Sequence, residues 1–440
     1  MNEMRKRIEK YTETRLVLVG KIIFKLLTSV MLLVSVSGWG QTHDSAFESI
    51  YRQIKQKNFF KARDLFKGTE KKLSVNDKYF IEAILDNAFN KPEESNRKIL
   101  KFLAAEKEFS DSLMPKILHI KEDNCMKRSD YAGAKNAVEE ALHKYDHLLT
   151  EEERTDLKNN LKIWTALEKQ PAQKITKNGN TRLKMQKDAA NLKNLKVKTK
   201  EDSMNFIFDT GANISTISAT AARRLKMNII PADIDVNAIT GIAVKADLAV
   251  CEKLMLGNIT IENAVFLVLA DKELSFPQIS YQINGILGFP VIEALKEVQL
   301  TQDDYFMVPD QETKISGTSN MAIGGLTPLI FVDGQHFTFD TGADHTILYA
   351  PFYEKNKKSI DRQYKLTRIS MGGAGGKVEY DGFKINHTFH ILGKQVPLKN
   401  VSLLKSRINK EDVYGNIGQD VIRQFKKMTL NFDQMFIKFD

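Results

Sequence analysis

The sequence predicts a multidomain chain: an N-terminal all-α helical domain, then a mostly β region of two lobes made by tandem duplication. Three observations carry this. Residues 42–170 are sparse in Gly and Pro and set apolar residues at helical spacing, in Phe47, Ile50, Tyr51 and Ile54 and again in Ala134, Ala137, Val138 and Leu142. Beyond them the pattern changes to short, strand-length apolar runs. Within those runs one tetrapeptide is spelled twice, Asp209-Thr210-Gly211-Ala212 and Asp340-Thr341-Gly342-Ala343. By average residue usage a lone Asp-Thr-Gly turns up in roughly one chain in ten of this length, so the weight lies on the larger repeat around the pair.

That repeat is long. Asp340 follows Asp209 by 131 residues, and Gly285-Ile286-Leu287-Gly288 recurs 130 residues on as Gly415-Asn416-Ile417-Gly418. The same offset carries Val291-Ile292 onto Val421-Ile422, and Leu300, Asp303 and Phe306 onto Leu430, Asp433 and Phe436. In between, Leu256-Gly257 and Val265 match Leu392-Gly393 and Val401 at an offset of 136, which reads as an insertion and a later deletion in loops. A period of this length is a duplicated domain, not a solenoid unit.

In chain order, residues 1–40 read as an export signal. Arg5, Lys6, Arg7 and Lys10 form a basic head, Leu26 to Val36 an apolar run, and Ser37-Gly38-Trp39-Gly40 a small-residue cleavage region before Gln41. The run is short of the roughly 20 residues a spanning helix needs, so no stable membrane span is expected after cleavage. The protein is expected to be exported, periplasmic or extracellular; an uncleaved anchor is the alternative. Residues 42–170 form the helical domain. Three of its stretches share a polar turn followed by an amphipathic helix, beginning at Asn58, Asn90 and Asp130, and the spacing resembles tetratricopeptide-type helical pairs. A generic helical bundle is the other reading, and either suits contact with a protein partner.

Residues 171–182 read as a linker, 183–309 as the first lobe, 310–325 as a second linker and 326–440 as the second lobe. In the first lobe Met204 to Phe208 leads as a strand into Asp209. Ser218 caps a short helix over Ala219 to Lys226. A hairpin over Val236 to Ala249 turns at Thr240-Gly241. Pro290 opens a helix from Val291, and Pro351 opens its counterpart in the second lobe. Net charge is +10, of which +4 falls in the first 25 residues, and no basic run is interleaved with aromatics, so nucleic acid is not an expected partner. Cys125 and Cys251 fall in different domains and read as unpaired, partly buried thiols. Neither the cysteines nor the 8 His form a metal-ligand pattern.

A strand ending in Asp-Thr-Gly presents a carboxylate at the tip of a tight loop. Two such loops can hold a water between two carboxylates. Like charges a few Å apart cannot both ionise, so the pair shares one proton. One member then takes a proton from the water as it attacks a carbonyl, and the other donates to the carbonyl oxygen. This needs neither metal nor cofactor.

The duplicated Asp-Thr-Gly-Ala, a glycine-containing hairpin about thirty residues on and an apolar-Gly segment before a short helix resemble the pepsin-like and retroviral-type aspartic proteases. The resemblance covers roughly residues 180–440. It implies a closed, two-lobed acid-protease fold with Asp209 and Asp340 as catalytic residues, and Thr210, Gly211, Thr341 and Gly342 as loop supports, the Thr hydroxyls bonding across the lobe interface. It also implies flaps at Thr240-Gly241 and Gly372-Gly373. The glycine cluster there lacks the Lys-Ser/Thr ending of a phosphate loop.

Two departures stand out. Phe289-Pro290 and Gln419-Asp420 occupy the positions where retroviral enzymes carry Arg and then Asn or Asp, so their Arg–carboxylate brace is expected to be missing. Ala212 and Ala343 lack the hydroxyl that many acid-active relatives place there, so a weakly acidic to near-neutral optimum is expected. The expected function is an exported aspartic endopeptidase acting on peptide or protein substrates. The alternative is a non-catalytic peptide-binding or scaffold protein that keeps the fold.

Overall fold

The computed structural model describes residues 45–104, 111–237, 241–277, 280–315, 317–373, 376–391, 393–408 and 411–440. The export-signal reading and Thr240 lie outside these residues.

The helical region comprises α1 (Ser45–Lys55), α2 (Phe59–Thr69), α3 (Val75–Ala88), α4 (Pro92–Ala104), α5 (Met114–Lys127), α6 (Tyr131–Lys144) and α7 (Glu151–Leu167). The three polar turns singled out in the sequence are one structural motif repeated. Lys57, Asn90 and Ser129 each adopt left-handed backbone with φ of 55°. The next amide in each case reaches back to the preceding helix: Asn58 N–H to Gln53 O (2.9 Å), Lys91 N–H to Asp86 O (2.7 Å) and Asp130 N–H to Cys125 O (2.8 Å). This closure satisfies the last carbonyls of one helix and aims the chain into the next. The Asn58 and Asp130 side chains then cap α2 and α6, and Pro92 opens α4. Phe47, Phe80 and Phe102 join the hairpins at ring separations of 5.8 and 5.7 Å. No described helix is long and apolar enough to cross a membrane.

The strands of the first half are β1 (Lys174–Lys177), β2 (Thr181–Lys184), β3 (Gln186–Lys187), β4 (Lys193–Lys198), β5 (Ser203–Phe208), β6 (Ser215–Ser218), β7 (Asn228–Asn237), β8 (Ala243–Leu256), β9 (Ile259–Leu269), β10 (Ser275–Phe276), β11 (Tyr281–Gln282), β12 (Gly285–Leu287), β13 (Glu297–Thr301) and β14 (Tyr305–Val308). Helix α8 (Ala219–Arg224) follows β6 and α9 (Phe289–Ala294) follows β12. The second half repeats the scheme with β15 (Met321–Gly324), β16 (Thr327–Val332), β17 (Gln335–Phe339), β18 (Ile347–Leu348), α10 (Ala350–Gln363), β19 (Thr367–Gly373), β20 (Gly376–Ile391), β21 (Lys394–Leu404), β22 (Gly415–Ile417), α11 (Gln419–Ile422), β23 (Lys427–Asn431) and β24 (Phe436–Phe439).

Each lobe has its own sheet, ordered β1-β9-β6-β12-β5-β4-β8-β7 and β15-β16-β17-β22-β18-β21-β20-β19. A third sheet, β2-β14-β13-β23-β24, is shared. Its centre is the antiparallel pair β13–β23, which sets Gln299 opposite Thr429 and joins the duplicated halves through backbone bonds. Phe206, Phe208, Phe306, Phe337 and Phe339 are fully buried on the strands that lead to and brace the two Asp-Thr-Gly loops.

The stretch 171–182, read as a linker, is instead built into the sheets: β1 lies along β9, and Thr181 and Arg182 of β2 pair with β14. Likewise β15 begins inside 310–325 and pairs with β16. Polar composition hid β1 and β2, because edge strands pair through backbone, which composition does not report.

The helices rest on both lobes. Arg63 Nη1 donates to Ser319 O (3.0 Å) and Oγ (2.9 Å), and Phe60 meets Phe331 at 5.3 Å. His336 Nε2 lies 2.8 Å from Gln56 O. On the first lobe, Asn90 Nδ2 donates to Glu293 Oε1 (2.8 Å). Asn159 exchanges two 2.8 Å bonds with the Asp235 backbone on β7.

Candidate active site

Each Asp-Thr-Gly loop is held by the strand beside it. β5 runs parallel to β12 with Phe208 opposite Leu287, and β17 runs parallel to β22 with Phe339 opposite Ile417. Asp209 N–H therefore donates to Leu287 O (3.1 Å) and Asp340 N–H to Ile417 O (3.0 Å). Past the glycines, Gly288 N–H donates to Ser215 Oγ (2.9 Å) and Gly418 N–H to Thr346 Oγ1 (3.1 Å). The apolar-Gly segments matched in the sequence are thus the backing of the two loops.

The threonines cross between lobes, as the resemblance implied. Thr210 N–H donates to Thr341 Oγ1 and Thr341 N–H to Thr210 Oγ1, both at 3.1 Å. The hydroxyls pass their own protons on, Thr210 Oγ1 to Phe339 O and Thr341 Oγ1 to Phe208 O, both at 2.8 Å. Both threonines are 1% exposed, so all four bonds are shielded from water.

The glycines serve a steric purpose. A Cβ on Gly211 would stand 2.6 Å from Asp340 Cγ, and one on Gly342 2.2 Å from Asp209 Cγ. Each lobe's glycine is the surface against which the other lobe's carboxylate packs, so the close approach, not a left-handed φ, demands Gly here. Gly211 N–H and Gly342 N–H also donate to the Oδ1 of their own aspartates at 2.8 Å.

The structure therefore brings Asp209 and Asp340 together. Burial, then the negative charge of Asp340 and a hydrogen bond with it, hold the Asp209 carboxyl well above the usual carboxylate range, against the pull of the Gly211 and Ala212 amides. Two carboxyls held this close disfavour ionising together. A proton and a negative charge side by side in a buried site can act as acid and base toward one water.

The hairpin residues fall as follows. Gly241 has φ of 78°, and a Cβ there would stand 3.1 Å from the Tyr380 hydroxyl, so this turn faces a β20 residue of the second lobe. Gly372 and Gly373 end β19, paired with Lys377 and Gly376 of β20. Among the described residues no group of His, Cys, Asp and Glu is arranged to hold a metal ion. Cys125 and Cys251 are buried and unpaired, and burial pushes both thiols up to about 11.

Two features went unread in the sequence. The Arg–carboxylate brace, expected to be missing, is rebuilt from further along: Arg423 Nη2 donates to Asp344 Oδ1 (2.7 Å) and O (2.8 Å). The positions directly after Gly418 are Gln419 and Asp420, but α11 returns the chain so that Arg423 reaches Asp344, the residue that follows the second Asp-Thr-Gly-Ala. The second is Asn416, whose Nδ2 donates to Asp340 Oδ2 at 2.7 Å. Its signal was a polar residue in the repeat opposite Ile286.

A family model described as aspartyl protease matches residues 195–291, which include Asp209. Comparison with curated proteins returned no match. Among solved structures, basic 7S globulin from soybean is similar over 60% of this chain and 94% of its own, at 10% identity and a TM-score of 0.38. The chain has an N-terminal helical region followed by a mostly β region of several sheets, and residues 195–291 of that region are similar to aspartyl proteases.

Proposed function

We propose that the chain is an aspartic endopeptidase in which Asp209 and Asp340 activate one water for attack on a peptide carbonyl. The observation that carries this is the buried, crossed arrangement of two intact Asp-Thr-Gly loops, with each carboxylate packed on the other lobe's glycine. The ionised aspartate takes the water proton, and the protonated one donates to the carbonyl oxygen and later supports proton transfer to the leaving nitrogen. The substrate is an extended peptide bonded through its backbone between lobes and hairpins. The three repeated helical hairpins support a tetratricopeptide-like reading of residues 45–144, with protein contact as their role. The basic and apolar pattern of residues 1–40 supports export to the periplasm or outside the cell.

The test is cleavage of a peptide library by the purified protein and by Asp209→Ala. Cleavage by the parent that Asp209→Ala abolishes supports the reading. A parent that binds peptides without cutting them would replace it with the peptide-binding alternative.

A further inference from the structure

The two lobes differ at a position beside their carboxylates. Glycine amides serve both aspartates at 2.8 Å. On the backing strand, however, Asn416 occupies the place that Ile286 fills in the first lobe. Asn416 is 3% exposed. Its amide is oriented from both ends: Oδ1 accepts from Thr338 Oγ1 (2.6 Å) and Nδ2 donates to Asp340 Oδ2 (2.7 Å). Thr338 stands beside Asn416 in the parallel register, where the first lobe sets Ile207 beside Ile286. Asp340 thus receives a side-chain donor that apolar Ile286 cannot offer Asp209.

A donor stabilises the charged form of a carboxylate, and the bond is stronger when its acceptor is ionised. In a dyad where only one member ionises, an unequal donor decides which. We propose that Asn416 is a positioning residue that holds the dyad's single negative charge on Asp340 and its proton on Asp209. Under the protease reading, on which this consequence rests, Asp340 takes the proton from water and Asp209 donates to the carbonyl. Among the described residues, Asp209 across the lobe interface and Tyr349 at the head of α10 feel the charge of Asp340. Burial and then the charges of Asp340 and Glu411 push the Tyr349 phenol up, so it stays neutral across the relevant range.

The experiment is carboxyl ¹³C NMR titration of the full chain labelled at Asp, with Asp209→Asn and Asp340→Asn used to assign the two signals. The parent should show Asp340 ionising at lower pH than Asp209. Asn416→Ile, which copies the first lobe, should raise the Asp340 midpoint by about one pH unit or more. Adding Ile286→Asn to that variant should reverse the order. Thr338→Val, which frees the amide to turn, should shift Asp340 in the same direction and decides the matter if Asn416→Ile does not fold. Asp209 ionising first in the parent, or an order indifferent to Asn416 and Thr338, would overturn the inference. The titration reads the dyad whether or not a peptide is cut. A parent with the expected titration and no cleavage overturns the protease reading alone. A cleaving parent whose titration ignores Asn416 overturns this inference alone.

Discussion

Thr341→Val should loosen the joint between the lobes by an amount the geometry sets. The Thr341 hydroxyl accepts from Thr210 N–H at 3.1 Å and donates to Phe208 O at 2.8 Å, both away from water. Valine keeps the shape and removes the oxygen, leaving a buried amide and a buried carbonyl without that partner. At about 1–3 kcal/mol for each of the two buried groups left unsatisfied, the substitution should cost about 2–6 kcal/mol. Thr341→Ser keeps the oxygen and loses a methyl, for about 1 kcal/mol. Thr210→Val should cost the same as Thr341→Val. The double variant should depart from the sum, because each threonine's amide bonds the other's hydroxyl and the two changes act on one network. The assay is the urea midpoint of the lobes by tryptophan-independent far-UV signal, with the slope checked for constancy. Thr341→Val within about 0.5 kcal/mol of the parent, or equal to Thr341→Ser, would refute the reasoning.

One chain supplies both acids, so mixing Asp209→Asn with Asp340→Asn should restore no cleavage; recovered activity would mean the site forms between chains. Asp209 binds its proton more tightly folded than unfolded. Stability from this group is therefore full below the ordinary carboxylate range and lost as pH rises through the raised value. Asp209→Asn should accordingly raise Tm at pH 7 more than at pH 3.5, and equal gains at both would contradict the placement of charge. A truncated chain starting at residue 171 keeps β1 and β2 and should fold and cleave short peptides, yet melt below the full chain because Arg63, Phe60 and Asn159 no longer touch the lobes. An unchanged Tm would show that the helices rest on the lobes without stabilising them.

The centre of the candidate site was legible because duplication wrote it twice. Asp209 and Asp340, the threonines and the glycines could be aligned by subtraction, and the turn signals at Asn58, Asn90 and Asp130 mapped onto real turns. Edge strands were not legible: β1 and β2 are rich in Lys and Thr and gain their place by backbone pairing, which side-chain pattern does not encode. Arg423 was missed because its partner Asp344 lies 79 residues away and the helical return of α11 decides the contact. Asn416 was visible as a break in an otherwise apolar segment, but its consequence depends on a parallel register that only the fold supplies.

The two central glycines also bear on how such a chain can change over generations. Once the halves were joined, hairpins and helices could drift apart, as the 6 residues of α8 against the 14 of α10 attest. Gly211 and Gly342 could not. Each is the cast of an acid encoded more than a hundred residues away, so a mutation in one gene half is tested first by the other. Selection on either copy is in that sense selection on both, and the middle of the molecule keeps the memory of its duplication longest.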